Sequence, residues 1–220
     1  MTRKIVSGSP HREVGVINPR WLLDHPVHHE SHLERRFVMS ALACPVITDI
    51  QHQPITVELD GETGGRYTPD FRLDYKDGDW TYIEVKPEVF LDKYEARLKA
   101  AEAYFASRGE KFLVVTDKQI DKNELGKKAI LLMRYARMQF NENETRACLE
   151  EFERYTEKFV EFKDLLASGL SDALIWNMVA RHELRIPPGI EMGMETPVAI
   201  NTEKENSHDQ LCAWFGLTTR

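Results

Sequence analysis

The sequence predicts an α/β fold. A helix, three strands, a second helix and a fourth strand build a mixed sheet, and an all-helical or winged-helix-like part follows. Three observations carry this. Apolar residues recur at helical spacing over 31–43 and 89–108. Between and after them the pattern is that of strands, ending in the continuous apolar run Lys111–Thr116 (KFLVVT). Beyond residue 117 helical spacing returns.

Taken in order, residues 1–24 read as an arm punctuated by proline and histidine. His25, His28, His29 and His32 hold i,i+4 spacings that a zinc site would use, but Pro26 interrupts the first pair and no cysteine lies near, so a histidine-rich surface turn is the stronger reading. Ser31–Ala43 is a helix with Leu33, Phe37, Val38 and Ala41 on one face. Ser31 and Glu34 make a capping-box pair, so Glu34 either satisfies the first helical amides or faces a site. Residues 46–60 form an extended, proline-broken segment in which Ile55, Val57 and Leu59 alternate with polar neighbours, and Asp60–Gly65 turns the chain. Tyr67–Tyr75 and Trp80–Pro87 are two strands of a hairpin. The helix at 89–108 carries Leu91, Tyr94, Leu98, Ala101 and Phe105 on one face and ends at Gly109. KFLVVT reads as a strand buried on both faces.

The second half is helical. Leu125, Ala129, Leu132, Met133, Ala136 and Phe140 form one stripe, and Phe152, Tyr155, Phe159, Phe162 and Leu166 another, with a break at Asn141–Glu144. Gly169–Asp172 caps a further helix over Ala173–Glu183. Arg185–Ile200, with Pro187-Pro188-Gly189, is wing-like or part of a plain bundle. Residues 195–220 have no firm period and read as a tail with dockable Leu211, Trp214, Phe215 and Leu217. The expected division is an arm at 1–24, a site-bearing domain at 25–120, a helical or winged-helix-like domain at 121–194 and the tail.

Composition narrows the class. With 220 residues, 42% hydrophobic and 30% charged, the chain is a folded protein. It has no apolar run long enough for a bilayer, so no membrane partner is expected. Three widely spaced cysteines give no zinc motif and point to a reducing compartment, the cytoplasm. The net charge of −7 argues against an autonomous tight DNA binder and favours a subunit delivered by partners.

The hairpin carries the chemistry. Pro69-Asp70 on its first strand and Glu84-Val85-Lys86 on its second bring two hard carboxylates and an ammonium together, if the register allows. A three-residue loop Lys76–Gly78, with Gly78 left-handed, sets Asp70 opposite Glu84. Asp70 and Arg72 then share a face with Tyr82, Glu84 and Lys86, while Phe71, Leu73, Ile83 and Val85 face the core. A two-residue loop would separate the acids. Asp70, Glu84 and the Val85 carbonyl suit Mg²⁺ or Mn²⁺, Glu34 can add a carboxylate, and Lys86 can orient water or stabilise a pentacoordinate phosphate. A salt-bridged surface hairpin is the competing reading.

These residues resemble the PD-(D/E)XK nucleases, whose core order is α-β-β-β-α-β. The closest likeness is to TnsA, the endonuclease subunit of heteromeric cut-and-paste transposases, CRISPR-associated ones among them. The features that carry it are Ser31–Glu34 (S-x-x-E), Gln53-Pro54, Tyr67–Phe71 (YTPDF) and Ile83–Lys86 (IEVK). They cover residues 25–117, and the helical remainder fits only by layout. The resemblance implies that Glu34, Asp70 and Lys86 are catalytic, with Glu84 a ligand or supporting group where the family carries Gln or Glu. It implies Mg²⁺-dependent cutting of the non-transferred strands at the 5′ ends of a transposon in double-stranded DNA, in a bacterial cytoplasm. A DDE-family transposase would process the 3′ ends and an AAA+ regulator would contact the C-terminal region. The rivals are a stand-alone restriction-like nuclease and a catalytically silent bridging module.

Overall fold

Alternating burial along Phe71–Tyr75, with a left-handed Gly78 just beyond, fixes a β-hairpin that anchors the main sheet. The computed structural model describes residues 14–60, 64–155, 158–189, 191–202 and 206–218. The first half runs β1 (Gly15–Ile17), β2 (Val27–His29), α1 (His32–Leu42), β3 (Ile47–His52), β4 (Val57–Leu59), β5 (Gly65–Tyr67), β6 (Phe71–Tyr75), β7 (Trp80–Lys86), α2 (Leu91–Ser107) and β8 (Lys111–Thr116). The second half runs α3 (Asp117–Asp121), α4 (Leu125–Ala136), α5 (Glu142–Phe152), β9 (Val160–Glu161), α6 (Phe162–Ala167), α7 (Asp172–Ala180), β10 (Leu184–Arg185), β11 (Pro197–Ile200) and α8 (Ser207–Phe215). The main sheet has the order β3-β6-β7-β8. Its first three strands are antiparallel; β8 joins parallel to β7 through the α2 crossover that a parallel pair requires.

The mixed α/β layout is the one expected, with several boundaries redrawn. The segment 46–60 is two strands: β3 enters the main sheet, while β4 pairs with β5 in a separate ribbon. Gln53 causes the split, sitting at φ +47° before Pro54, which has no N–H to donate. Tyr67–Tyr75 likewise divides into β5 and β6 around Thr68-Pro69-Asp70. The apolar spacing from Phe152 to Leu166 is not one helix. Phe152 of α5, Val160 of β9 and Phe162 of α6 reach the core in turn, and residues 156–157 fall outside the described ones. KFLVVT is not buried on both faces: β8 is an edge strand, and Lys111–Val114 are only half-buried.

The largest correction concerns 195–220. This stretch is no tail, because β11 joins a three-stranded sheet ordered β10-β11-β9 and α8 packs into the core. Phe215 is fully buried and stacks on Phe37 with ring centroids 5.4 Å apart; the Trp214 indole donates to the Ser40 carbonyl at 3.0 Å. The main core is continuous from Leu23 through the sheet and α4–α7 to Phe215, with no break at residue 120. A smaller core of Val57, Leu59, Tyr67, Tyr82, Ala101 and Phe105 fills the space under α2, so the hairpin face expected to be polar is largely covered there. Residues 1–13, 61–63, 203–205 and 219–220, which belong to the expected arm, turn and tail, lie outside the described residues.

Candidate active site

The hairpin register decides which side chains can meet. Phe71 pairs with Ile83, Arg72 with Tyr82, Leu73 with Thr81 and Asp74 with Trp80. The Tyr75 N–H donates to the Asp79 carbonyl at 2.9 Å, closing the loop Lys76–Gly78, and Gly78 sits at φ +87°. Continued by one residue, this register sets Asp70 against Glu84, as the three-residue loop requires. Asp70 lies just before the start of β6 and is tied down twice. Its carbonyl accepts from Gln53 N–H at 2.8 Å, and its Oδ2 accepts from Val85 N–H at 2.8 Å. In a strand, one residue's N–H and C=O face the same neighbour, so the Val85 carbonyl is turned toward the Asp70 side as well.

The structure brings Asp70, Glu84 and Lys86 together. Lys86 Nζ stands 2.5 Å from Glu84 Oε1 and 3.9 Å from Asp70 Oδ2. Glu84 is 4% exposed, and its other oxygen accepts from the Tyr67 hydroxyl at 2.8 Å. Burial raises the Asp70 carboxyl well above the ordinary aspartate value, and the neighbouring Glu84 raises it further. Burial works against the Lys86 ammonium, but Asp70 and Glu84 outweigh it and hold the pKa above that of a free lysine.

Glu34 is also part of the site's field. Its backbone N–H donates to Ser31 Oγ at 3.0 Å, so Ser31 is the N-cap that the sequence pattern predicts. Its carboxylate bonds nearby as well, accepting from Glu30 N–H at 2.6 Å and from Ser31 Oγ at 3.0 Å. Burial raises its pKa. Glu34 thus holds the chain just before α1, and its charge is felt by both Asp70 and Lys86.

Among the described residues, no three or more His, Cys, Asp or Glu side chains are arranged as a ready metal cage. The histidines of the N-terminal part are placed otherwise: His25 Nε2 lies 2.6 Å from Asp49 Oδ1 and His29 is buried. The donor set at Asp70 nevertheless suits a hard cation that keeps part of its water. Two carboxylates meet at Lys86 Nζ, and Glu34 adds negative charge.

Several residues of the cleft escape sequence reasoning. A 350 Å³ cleft opens over Asp70, Glu84 and Lys86, and Arg66, Tyr94 and Arg97 line it. Arg97 donates to the Arg66 carbonyl at 2.6 Å, bridging α2 to β5. The apolar stripe of α2 gave no warning of this. Only Ala101 and Phe105 are buried, while Tyr94 and Leu98 face the cleft.

A family model described as TnsA-like endonuclease N terminal matches residues 44–117. This stretch is similar to a TnsA-like endonuclease N-terminal domain. The match covers about a third of the chain and includes Asp70, Glu84 and Lys86, whereas Glu34 and everything after Asp117 lie outside it. A search of the curated proteins finds no match. Within the TnsA-like stretch, β3, β6, β7 and β8 supply the whole main sheet. No helix among the described residues is long and apolar enough to cross a membrane.

Proposed function

We propose that this chain is the metal-dependent DNA endonuclease subunit of a cut-and-paste transposition complex. In this reading it hydrolyses the non-transferred strand at the 5′ transposon ends while a DDE-family transposase processes the 3′ ends. The observation that carries it is the contact of Lys86 Nζ with both Glu84 and Asp70 at the end of a TnsA-like hairpin. A salt-bridged surface pair would not account for a Glu84 that is almost fully buried and held by Tyr67.

A bound Mg²⁺ or Mn²⁺ would supply Lewis acidity toward the scissile phosphate. Asp70, Glu84 and the Val85 carbonyl would hold it, with Glu34 contributing charge or a further ligand. Val85 N–H fixes one Asp70 oxygen, and Tyr67 fixes one of Glu84, so both carboxylates are oriented in advance. Lys86 either orients the attacking water or stabilises the charge developing on the phosphate. Arg66 and Arg97 at the rim suit the flanking phosphates.

The remainder of the chain is read as the partner-contacting part, an AAA+ regulator among its candidates. The succession α5-β9-α6-α7-β10-β11 supports a winged-helix-like unit within 121–194 and the strand that follows it. Helix α7 is buried from Leu174 to Ala180 in the chain's own core, which argues against base reading by that helix. The net charge of −7 fits a nuclease brought to DNA by partners.

The test uses DNA bearing transposon ends with Mg²⁺ or Mn²⁺, with and without a co-encoded transposase. Wild type is expected to cut 5′ ends only with the partner, and Asp70→Ala and Lys86→Ala are expected to lose at least about a hundredfold in rate. Cutting without the partner would replace the subunit by a stand-alone nuclease. Equal activity of wild type and both variants would leave a silent bridging module.

A further inference from the structure

Strand β8 is apolar and ends the main sheet. Phe112–Val115 are apolar in unbroken succession, as in a strand covered on both faces. Yet among the described residues β8 pairs only with β7. In a parallel strand alternate backbone groups point away from the paired side. Among the described residues, no backbone group outside β7 and no side chain bonds to the backbone of Lys111–Val115. The edge is therefore a row of open donors and acceptors, which a folded protein ordinarily blunts or covers.

The space beside it is shaped for an occupant. A groove of 680 Å³ runs along β8 and is lined from both faces of the sheet, by α2 on one side and by His208 and Cys212 of α8 on the other. Its floor is apolar, with Phe112, Leu113 and Val114 half-buried. Its α2-side rim is acidic. Asp92, Glu102 and Glu110 line the groove and have no ion-pair partner among the described residues; Glu95 is already paired with Lys99 at 2.5 Å, and Lys111 with Asp79.

We propose that the open edge of β8 is a docking site for an extended, Lys- or Arg-bearing segment of a partner protein, which adds a strand to the main sheet. Backbone bonds to β8 would supply affinity, the apolar floor would take alternate side chains, and the acidic rim would select basic residues between them. The same rim disfavours DNA, and it disfavours a second copy of this chain, whose own acids would meet it. The inference stands on the sheet edge alone and does not depend on the nuclease reading.

The test uses the full chain and a fluorescent nine-residue peptide alternating Val and Lys. Its controls are the Val/Glu counterpart and a Val/Lys peptide N-methylated on alternate amides. The Val/Lys peptide is expected to bind and to slow hydrogen exchange at Leu113–Val115. The N-methylated peptide should bind far more weakly, as should the Glu peptide. The double variant Glu102→Lys, Glu110→Lys, at positions away from Asp70 and Lys86, should weaken binding about tenfold. Equal binding of both charges, binding without protection of β8, or dimerisation through β8 in sedimentation would overturn the proposal. Cleavage activity is not read in any arm, so loss of the nuclease reading would leave the result intact.

Discussion

Asp70 concentrates the electrostatic cost of the site. It is half-buried beside Glu84, with one ammonium, Lys86, shared between them. A carboxyl raised above its ordinary value of 3.8 holds its proton more tightly in the native protein than in the unfolded chain. Its contribution to stability is therefore full at low pH and is lost as pH rises from that value through the raised native one. At neutral pH the ionised group is a liability unless a cation offsets it. Asp70→Asn, close to the protonated form in shape, should raise Tm in EDTA by a few degrees, at about 2–4 °C per kcal/mol for a chain of this size. The same variant should lose the further Tm increase that wild type gains on adding Mn²⁺. Differential scanning calorimetry with and without metal checks both, and a lower Tm for Asp70→Asn in EDTA would show that the buried charge is well compensated by Lys86 alone. Asp70, Glu84 and Lys86 were legible in the sequence because hairpin register follows from loop length, and Gly78 marks the loop. Tyr67, Arg66 and Arg97 were not, because their roles arise where β5 and α2 fold over the sheet, which no local pattern encodes.

At the scale of elements, α8 shows where periodicity fails. Nine residues with three buried large side chains give too short a run to declare a helix, and residues 195–220 read as a tail. What fixes α8 is contact with distant elements. Phe215 stacks on Phe37 of α1, Trp214 bonds to Ser40, and Ser207 N–H at its start donates to Asp77 Oδ2 at 3.1 Å in the hairpin loop. His208 Nδ1 lies 3.0 Å from Thr81 Oγ1 of β7. The helix thus braces the strand that carries Glu84 and Lys86. Phe215→Ala should cost about 3–5 kcal/mol, the range for a large aromatic deleted from a tight core. Thermal unfolding should drop by about 10 °C. A dispensable tail would leave Tm unchanged, so this one variant separates the two descriptions. The capping of α1 by Ser31 was readable, in contrast, because its signal lies within four residues. The division at Gln53 was legible only in part: Pro54 marks a break, but a left-handed Gln53 held by its bond to Asp70 leaves no mark in composition.

The whole molecule joins the TnsA-like stretch to the helical half through shared packing. Helix α4 lies against both α1 and α7, and Asn177 on α7 donates to the carbonyls of Tyr135 and Met138 at 2.7 and 3.1 Å. Asn201, just past β11, donates to Pro45 and His182 carbonyls at 3.0 and 2.9 Å, while the buried His182 ring donates to the Leu42 carbonyl at 3.0 Å. Burial depresses the His182 pKa to about 4, so it remains a neutral single donor in that bond at physiological pH. Such links cross the boundary at 120 that composition suggested, where the change from strand to helix looked like a change of domain. Removing either half would strip the other of apolar cover at Phe37, Leu42, Ile175 and Phe215, all fully buried or nearly so. Native-state hydrogen exchange in rising urea should therefore show amides of α7 and of β7 merging into one global opening, with the same free energy and the same denaturant slope. Amides of α7 opening at lower free energy, with a smaller slope than those of β7, would restore two separable units. Cooperative unfolding has a functional corollary under the proposed reading. A partner that binds the helical half would stabilise the whole protein, and protection of β7 on partner binding should rise together with that of α7 rather than lag behind it.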